Sequence, residues 1–247
     1  MNTTIPALRV FSARACAAPL EEAAVLFERK TGIHVQIDVC SRHCAVPVAE
    51  EATGTTGGDD FLLEIAEAGV HDLAIGGAEY LLDEGEVRGL VLRGERRTIA
   101  CRVSTLIVPA DNPRNIAELG DLTRPGVRIG ISTIDCLKGL WEDICGRAGL
   151  IAAVRPNIVY HANGCIAIVE AVAEKKVDVA FGWNTFEELA AGRIRSIELP
   201  AELRIKRGTG IGLLRFAKSP EQARQFMDFL VTREARACYK AHGWELF

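Results

Sequence analysis

Five cysteines fall where a strand pattern hands over to a helix pattern. They are Cys16 in SARACAAPLEE, Cys40 and Cys44 in VCSRHCAVP, Cys136 in GISTIDCLKGLW and Cys165 in HANGCIAIVEAV. In open α/β folds such turns lie at the carboxyl ends of strands, the edge where ligands bind. Thiols gathered on one such edge would form a soft-metal or metal–sulfur site. Four-cysteine ligation suits a [4Fe–4S] centre, and here four separate turns each offer at least one cysteine. Cys16, Cys44, Cys136 and Cys165 each precede a predicted helix, whose N-terminal partial charge favours the thiolate. Between Cys40 and Cys44 the helix position favours Cys44. His43 and His161 could replace a thiol as ligand, although a lone histidine is more often a surface or hydrogen-bonded residue.

The other three cysteines read differently. Cys101 lies in the strand-like run TIACRVSTLIV, Cys145 within a helix in LWEDICGRAG, and Cys238 in the last helix, REARACYKAHG. A cysteine in such a position is a small buried hydrophobe. The chain is long enough, at 247 residues and 49% hydrophobic, to build a core without disulfide staples. A net charge of −4 argues against a nucleic-acid partner, which needs a basic face. The short basic runs Arg93–Arg97 and Arg204–Arg207 read as solvated surface. No apolar run approaches the roughly 18 residues of a membrane span. The start MNTTIPALRVFSARAC lacks a basic leader and goes straight into a strand pattern, so the expected location is the cytoplasm if Met1 is the native start.

The elements that must position these thiols alternate. LRVFSA, HVQIDVC, the β-branched run 97–113, VRIGIST, NIVYHA and VDVAFGWN read as strands. LEEAAVLFERKTG, FLLEIAEAG, NIAELGDLTRPG, CLKGLWEDICGRAG, NGCIAIVEAVAEKK and TFEELAAG read as helices, and SPEQARQFMDFLVTREARACYKAHG as a closing helical hairpin. The stretch 53–60 reads as a loop. Such alternation predicts an α/β fold with a parallel sheet. GTGIG at 208–212 continues into a strand, so it is no dinucleotide fingerprint and implies close backbone approach instead.

At this level the chain resembles the molybdate-binding and related solute-binding proteins of ABC transporters, with the type II periplasmic-binding fold. LRVFSARACAAPLEEAAVLFERKTGIHV resembles the opening strand, binding loop and helix. STLIVPADNPRNIAELGDLTRPGVRIGIST resembles the crossing between lobes, and SPEQARQFMDFLVTREARACYKAHGWEL the closing helices. The resemblance implies two α/β lobes, 1–99 with 208–247 and 100–207, with a ligand cleft between them. It implies a ligand held by neutral hydroxyls and backbone N–H groups. Its ligand loops fall on Arg14, Ala15 and Cys16; on Cys40, Ser41, Arg42, His43 and Cys44; on Thr133 to Cys136; and on Asn163 to Cys165, with a late aromatic at Trp183 beside Asn184. Where the family has Ser, Ala or Gly, this chain repeatedly has Cys.

Three readings follow. The first is a cytoplasmic binding protein that holds a [4Fe–4S] cluster or another soft metal through Cys16, Cys40 or Cys44, Cys136 and Cys165, for storage, delivery or sensing, with a metal- or cluster-handling protein as partner. Arg14, Arg42, His43, His161, Asn163, Trp183 and Asn184 would line its pocket. The second is a solute-binding protein for a molybdate-like or sulfur-containing oxyanion. The third is a redox enzyme using Cys40 and Cys44, although no catalytic triad or carboxylate pair is readable and a non-enzyme is favoured.

Overall fold

The computed structural model describes residues 7–40 and 57–246. Arg42, His43 and Cys44 lie outside the described residues. The chain folds into two compact units, 7–40 with 58–101 and 208–246, and 102–207. Among the described residues no helix is long and apolar enough to cross a membrane.

The first unit is built on β1 (Leu8–Ser12), β2 (Val35–Val39) and β3 (Leu73–Ile75), with α1 (Ala17–Thr31), α2 (Gly57–Ala68) and α3 (Glu79–Val87) between and after them. β1 pairs in parallel with β2 and β3, in the register Leu8↔Val35 and Val10↔Leu73. The long β4 (Val91–Pro109) and the returning β9 (Lys206–Leu214) complete this sheet in the order β2-β1-β3-β9-β4. β9 runs antiparallel to β3. α1 ends at Gly32, whose φ of 71° is the left-handed conformation that a helix C-terminus favours. The closing α7 (Pro220–Leu230) and α8 (Arg233–Ala241) pack on the apolar face of α1. Phe27 meets Phe226 edge-on at 4.9 Å, the favourable aromatic geometry. Asp72, 4% exposed, anchors this unit by accepting the N–H groups of Arg9, Lys218 and Ser219.

The alternate glycines of GTGIG do allow close approach. A Cβ at Gly210 would lie 2.7 Å from the Glu79 carboxylate oxygens, and one at Gly212 2.8 Å from Val91.

The second unit uses the far half of β4, then β5 (Ile129–Ser132), α4 (Leu140–Arg147), α5 (Ile151–Val154), β6 (Ile158–Ala162), α6 (Cys165–Ala173), β7 (Val179–Trp183) and β8 (Ile194–Glu198). β5 is parallel to both β6 and β7, while β7 and β8 run antiparallel to β4 on either side of it. The carboxyl ends of β5, β6 and β7 therefore share one edge.

Two predicted helices are not α-helical. NIAELGDLTRPG forms only a short 3-10 turn, Leu119–Thr123. The Asn112 side chain bonds both the N–H and the carbonyl of Ile116, and Asp121 accepts the N–H groups of Ala117 and Glu118. These side chains give the backbone partners that a helix would otherwise supply. TFEELAAG likewise forms a 3-10 segment, Asn184–Ala190. In the other direction, α2 starts at Gly57, inside the stretch expected as a loop.

Gly130 sets how near α6 lies to β5. A Cβ there would meet Ile168 Cδ1 at 2.7 Å and Val177 Cγ2 at 3.2 Å. Gly130→Ala is expected to destabilise the chain by about 1–3 kcal/mol through overpacking, read as a lower denaturant midpoint with an unchanged slope.

Candidate functional site

The second unit brings two of the predicted thiols together. Cys136 lies in the 3-10 turn Asp135–Leu137, after β5. Cys165 is the first residue of α6, after β6. Their sulfurs are 2.9 Å apart, without a disulfide. Cys136 is buried, at 1% exposure, while Cys165 is half-buried.

Two arginines and a tryptophan surround this pair. Arg102, on β4, is fully buried, and its guanidinium sits over the Trp183 ring at 5.1 Å. The β4–β7 register, Ser104↔Trp183, places these two side chains near each other. Arg207 lies over the same ring at 5.7 Å, and its Nη1 donates to the Cys136 carbonyl at 2.9 Å while Nη2 reaches Asp143. Burial pushes the Cys136 thiol up. The Cys165 thiol, the Arg102 cation and the Trp183 indole N–H outweigh burial and bring it down to about 5. Trp183 Nε1 makes no full hydrogen bond, so we take it as the weakest of the three. With two sulfurs in contact the titration belongs to the pair. The Arg102 cation beside it favours the thiolate form of Cys136, since an opposite charge offsets the cost of burying either one.

The α6 N-terminus completes the edge. Gly164 precedes the helix with φ 96°, and no side chain caps it. Its N–H donates to Ser132 Oγ at 3.3 Å, and Ile134 N–H donates to the same hydroxyl at 3.4 Å. The start of α6 thus lies at the carboxyl end of a parallel strand, a placement that suits an anion.

The other predicted residues are placed otherwise. Cys16 has the right local setting, at the N-cap of α1, but it is fully buried in the first unit's hydrophobic core, and its Sγ points at the Gly76 carbonyl at 3.8 Å. Cys40 is buried too, its N–H bonded to the Ser12 carbonyl. Arg14 and His161 are exposed, and Asn163 is half-buried in the turn before α6. Asn184 spends its carboxamide oxygen on the Val103 N–H at 3.0 Å. Trp183 is fully buried. Cys101, Cys145 and Cys238 are buried as expected, and burial raises Cys145 to about 12.

Among the described residues no group of three or more His, Cys, Asp and Glu could hold a metal ion. Two adjoining thiols beside a buried cation do not make the donor set of a four-thiolate cluster.

Sequence reading missed Arg102, Arg207 and Ser132. The signal was present for Arg102, a lone charge inside the apolar run TIACRVSTLIV. Arg207 was read as solvated surface.

The chain matches the profile of the family described as bacterial extracellular solute-binding protein over residues 8–245. It belongs to that family. Among solved structures similar to this family member is the substrate-binding domain of a putative molybdenum ABC transporter from Clostridium difficile. It shares 12% identity and a TM-score of 0.71, with 97% of this chain and 98% of that one covered. The periplasmic molybdate-binding protein of Azotobacter vinelandii is 21% identical with TM-score 0.73, over 97% and 99%. The sulfate-binding protein SubI of Mycobacterium tuberculosis is 15% identical with TM-score 0.76, over 97% and 86%. At these identities the likeness shows the fold. No curated protein matches the chain.

The depressed pair has a pH signature. The folded value lies below the ordinary thiol value of 9.0, so the stabilisation is full above 9.0 and is lost as pH falls through about 5. Thiolate ultraviolet absorbance should show one step near 5, absent in Cys136→Ser. A native protein whose thiols all titrate near the ordinary value would contradict the depressed pair.

Proposed function

We propose that this family member binds a small oxyanion of the molybdate or sulfate kind, and that the second unit binds it at the α6 N-terminus beside Ser132. The observation that carries the reading is an uncapped helix start, Gly164–Cys165, at the carboxyl end of a parallel strand. Neutral N–H donors suit an oxyanion whose charge must be met without a full counter-ion. The similar structures named for molybdate and sulfate support the same class of ligand.

The four-thiolate cluster reading has less support. It needs Cys16, which sits in an apolar core, and one of Cys40 and Cys44.

The test is a thermal-shift titration with molybdate, tungstate, sulfate and phosphate, each against chloride. One of the oxyanions should stabilise the protein by about 2.7 kcal/mol at a hundredfold excess over its Kd. Ser132→Ala, which removes the hydroxyl that fixes the turn before α6 and that lies beside the proposed anion, should weaken that oxyanion roughly fivefold, the worth of one hydrogen bond. No response to any oxyanion, with stoichiometric iron and sulfide in anaerobically purified protein, would overturn the oxyanion reading in favour of the cluster.

A further inference from the structure

The geometry points to Cys136 and Cys165 as a reversible dithiol–disulfide couple that exchanges with small-molecule disulfides, Cys165 being the entry sulfur and Cys136 the buried partner that resolves it. Three observations carry this. The sulfurs already lie 2.9 Å apart, so closing to a bond of about 2.05 Å needs less than an ångström of movement. The pair is asymmetric in access, with Cys165 half-buried at a helix start and Cys136 at 1% exposure. A buried cation, Arg102, faces the inner sulfur, while Arg207 holds its carbonyl.

The same features argue against a metal. A tetrahedral ion with metal–sulfur bonds of about 2.3 Å would need the sulfurs spread to roughly 3.8 Å. It would also need further donors, and no group of three or more candidate ligands exists among the described residues. Arg102 would repel the ion while favouring a thiolate.

The exchange balances as follows. Cys165 passes its proton across the contact to the Cys136 thiolate and attacks one sulfur of a disulfide RSSR, breaking the S–S bond and expelling RS⁻. The mixed disulfide Cys165–S–S–R forms. Cys136 then loses its proton to the departing thiolate and attacks the Cys165 sulfur, expelling the second R group as RS⁻. The protein pair is oxidised by two electrons, and RSSR is reduced to RSH and RS⁻. Other described cysteines are poor competitors. Cys145 and Cys16 are fully buried, and burial raises the thiols of Cys145 and Cys238.

The experiment treats the reduced full chain with oxidised glutathione and maps peptides by mass spectrometry. The expected result is a Cys136–Cys165 cross-link with two glutathiones released per chain, reversed fully by dithiothreitol. Cys136→Ser should trap one glutathione on Cys165, because the resolving sulfur is gone. Cys165→Ser should slow reaction at Cys136 at least tenfold, by loss of the accessible sulfur. The wild-type map needs no variant to fold, so it decides alone. Glutathione spread over other cysteines, or no cross-link between these two, would overturn the couple. Anion binding plays no part in these readouts, so the outcome is independent of the oxyanion reading.

Discussion

A fully buried guanidinium must be neutralised where it sits, and in the second unit that requirement organises the edge. Arg102 points inward from β4 into a region where an unpaired charge would cost several kcal/mol. Trp183 offers a ring face, and Cys136 offers a sulfur that can carry the opposite charge. Arg102 thus favours the thiolate form of Cys136, and a thiolate there would in turn offset the cost of the buried guanidinium. Arg207 fixes the turn that carries Cys136, so the pairing does not depend on a mobile loop side chain.

The parallel strands explain why this pair meets at all. β5 and β6 are neighbours in register, Ser132↔Ala162, so the turns that follow them emerge side by side. Gly130 lets α6 lie close over β5, and Ser132 ties the two turns together through Gly164. One edge thereby holds both the start of α6 and two sulfurs in contact. The first unit shows the contrasting outcome. Cys16 also follows a parallel strand and starts a helix, yet it fills the core with Phe27, Phe226 and Tyr239. There it acts as a small hydrophobe.

Much of the architecture was legible in the residues. Alternating strand and helix patterns gave the α/β class, and the order of segments resembled the solute-binding fold that the family match bears out. The closing hairpin, the glycine approach in GTGIG and the buried Cys101, Cys145 and Cys238 were readable too. The helix expected at 115–126 was not, because Asn112 and Asp121 compete for its backbone groups through contacts that apolar periodicity does not register.

By itself, then, the sequence determined what local periodicity and turn chemistry control: the element types, their order and the turns that carry cysteine. The tertiary structure decided which cysteines act together. Cys136 and Cys165 are 29 residues apart and Arg102 lies 34 residues before Cys136, so their meeting depends on sheet register and helix packing. A three-residue turn has no period of its own, and nothing local says whether its cysteine faces a core, as Cys16 does, or a buried cation, as Cys136 does. That choice is made only when distant strands pair and every buried charge must find a counter-charge.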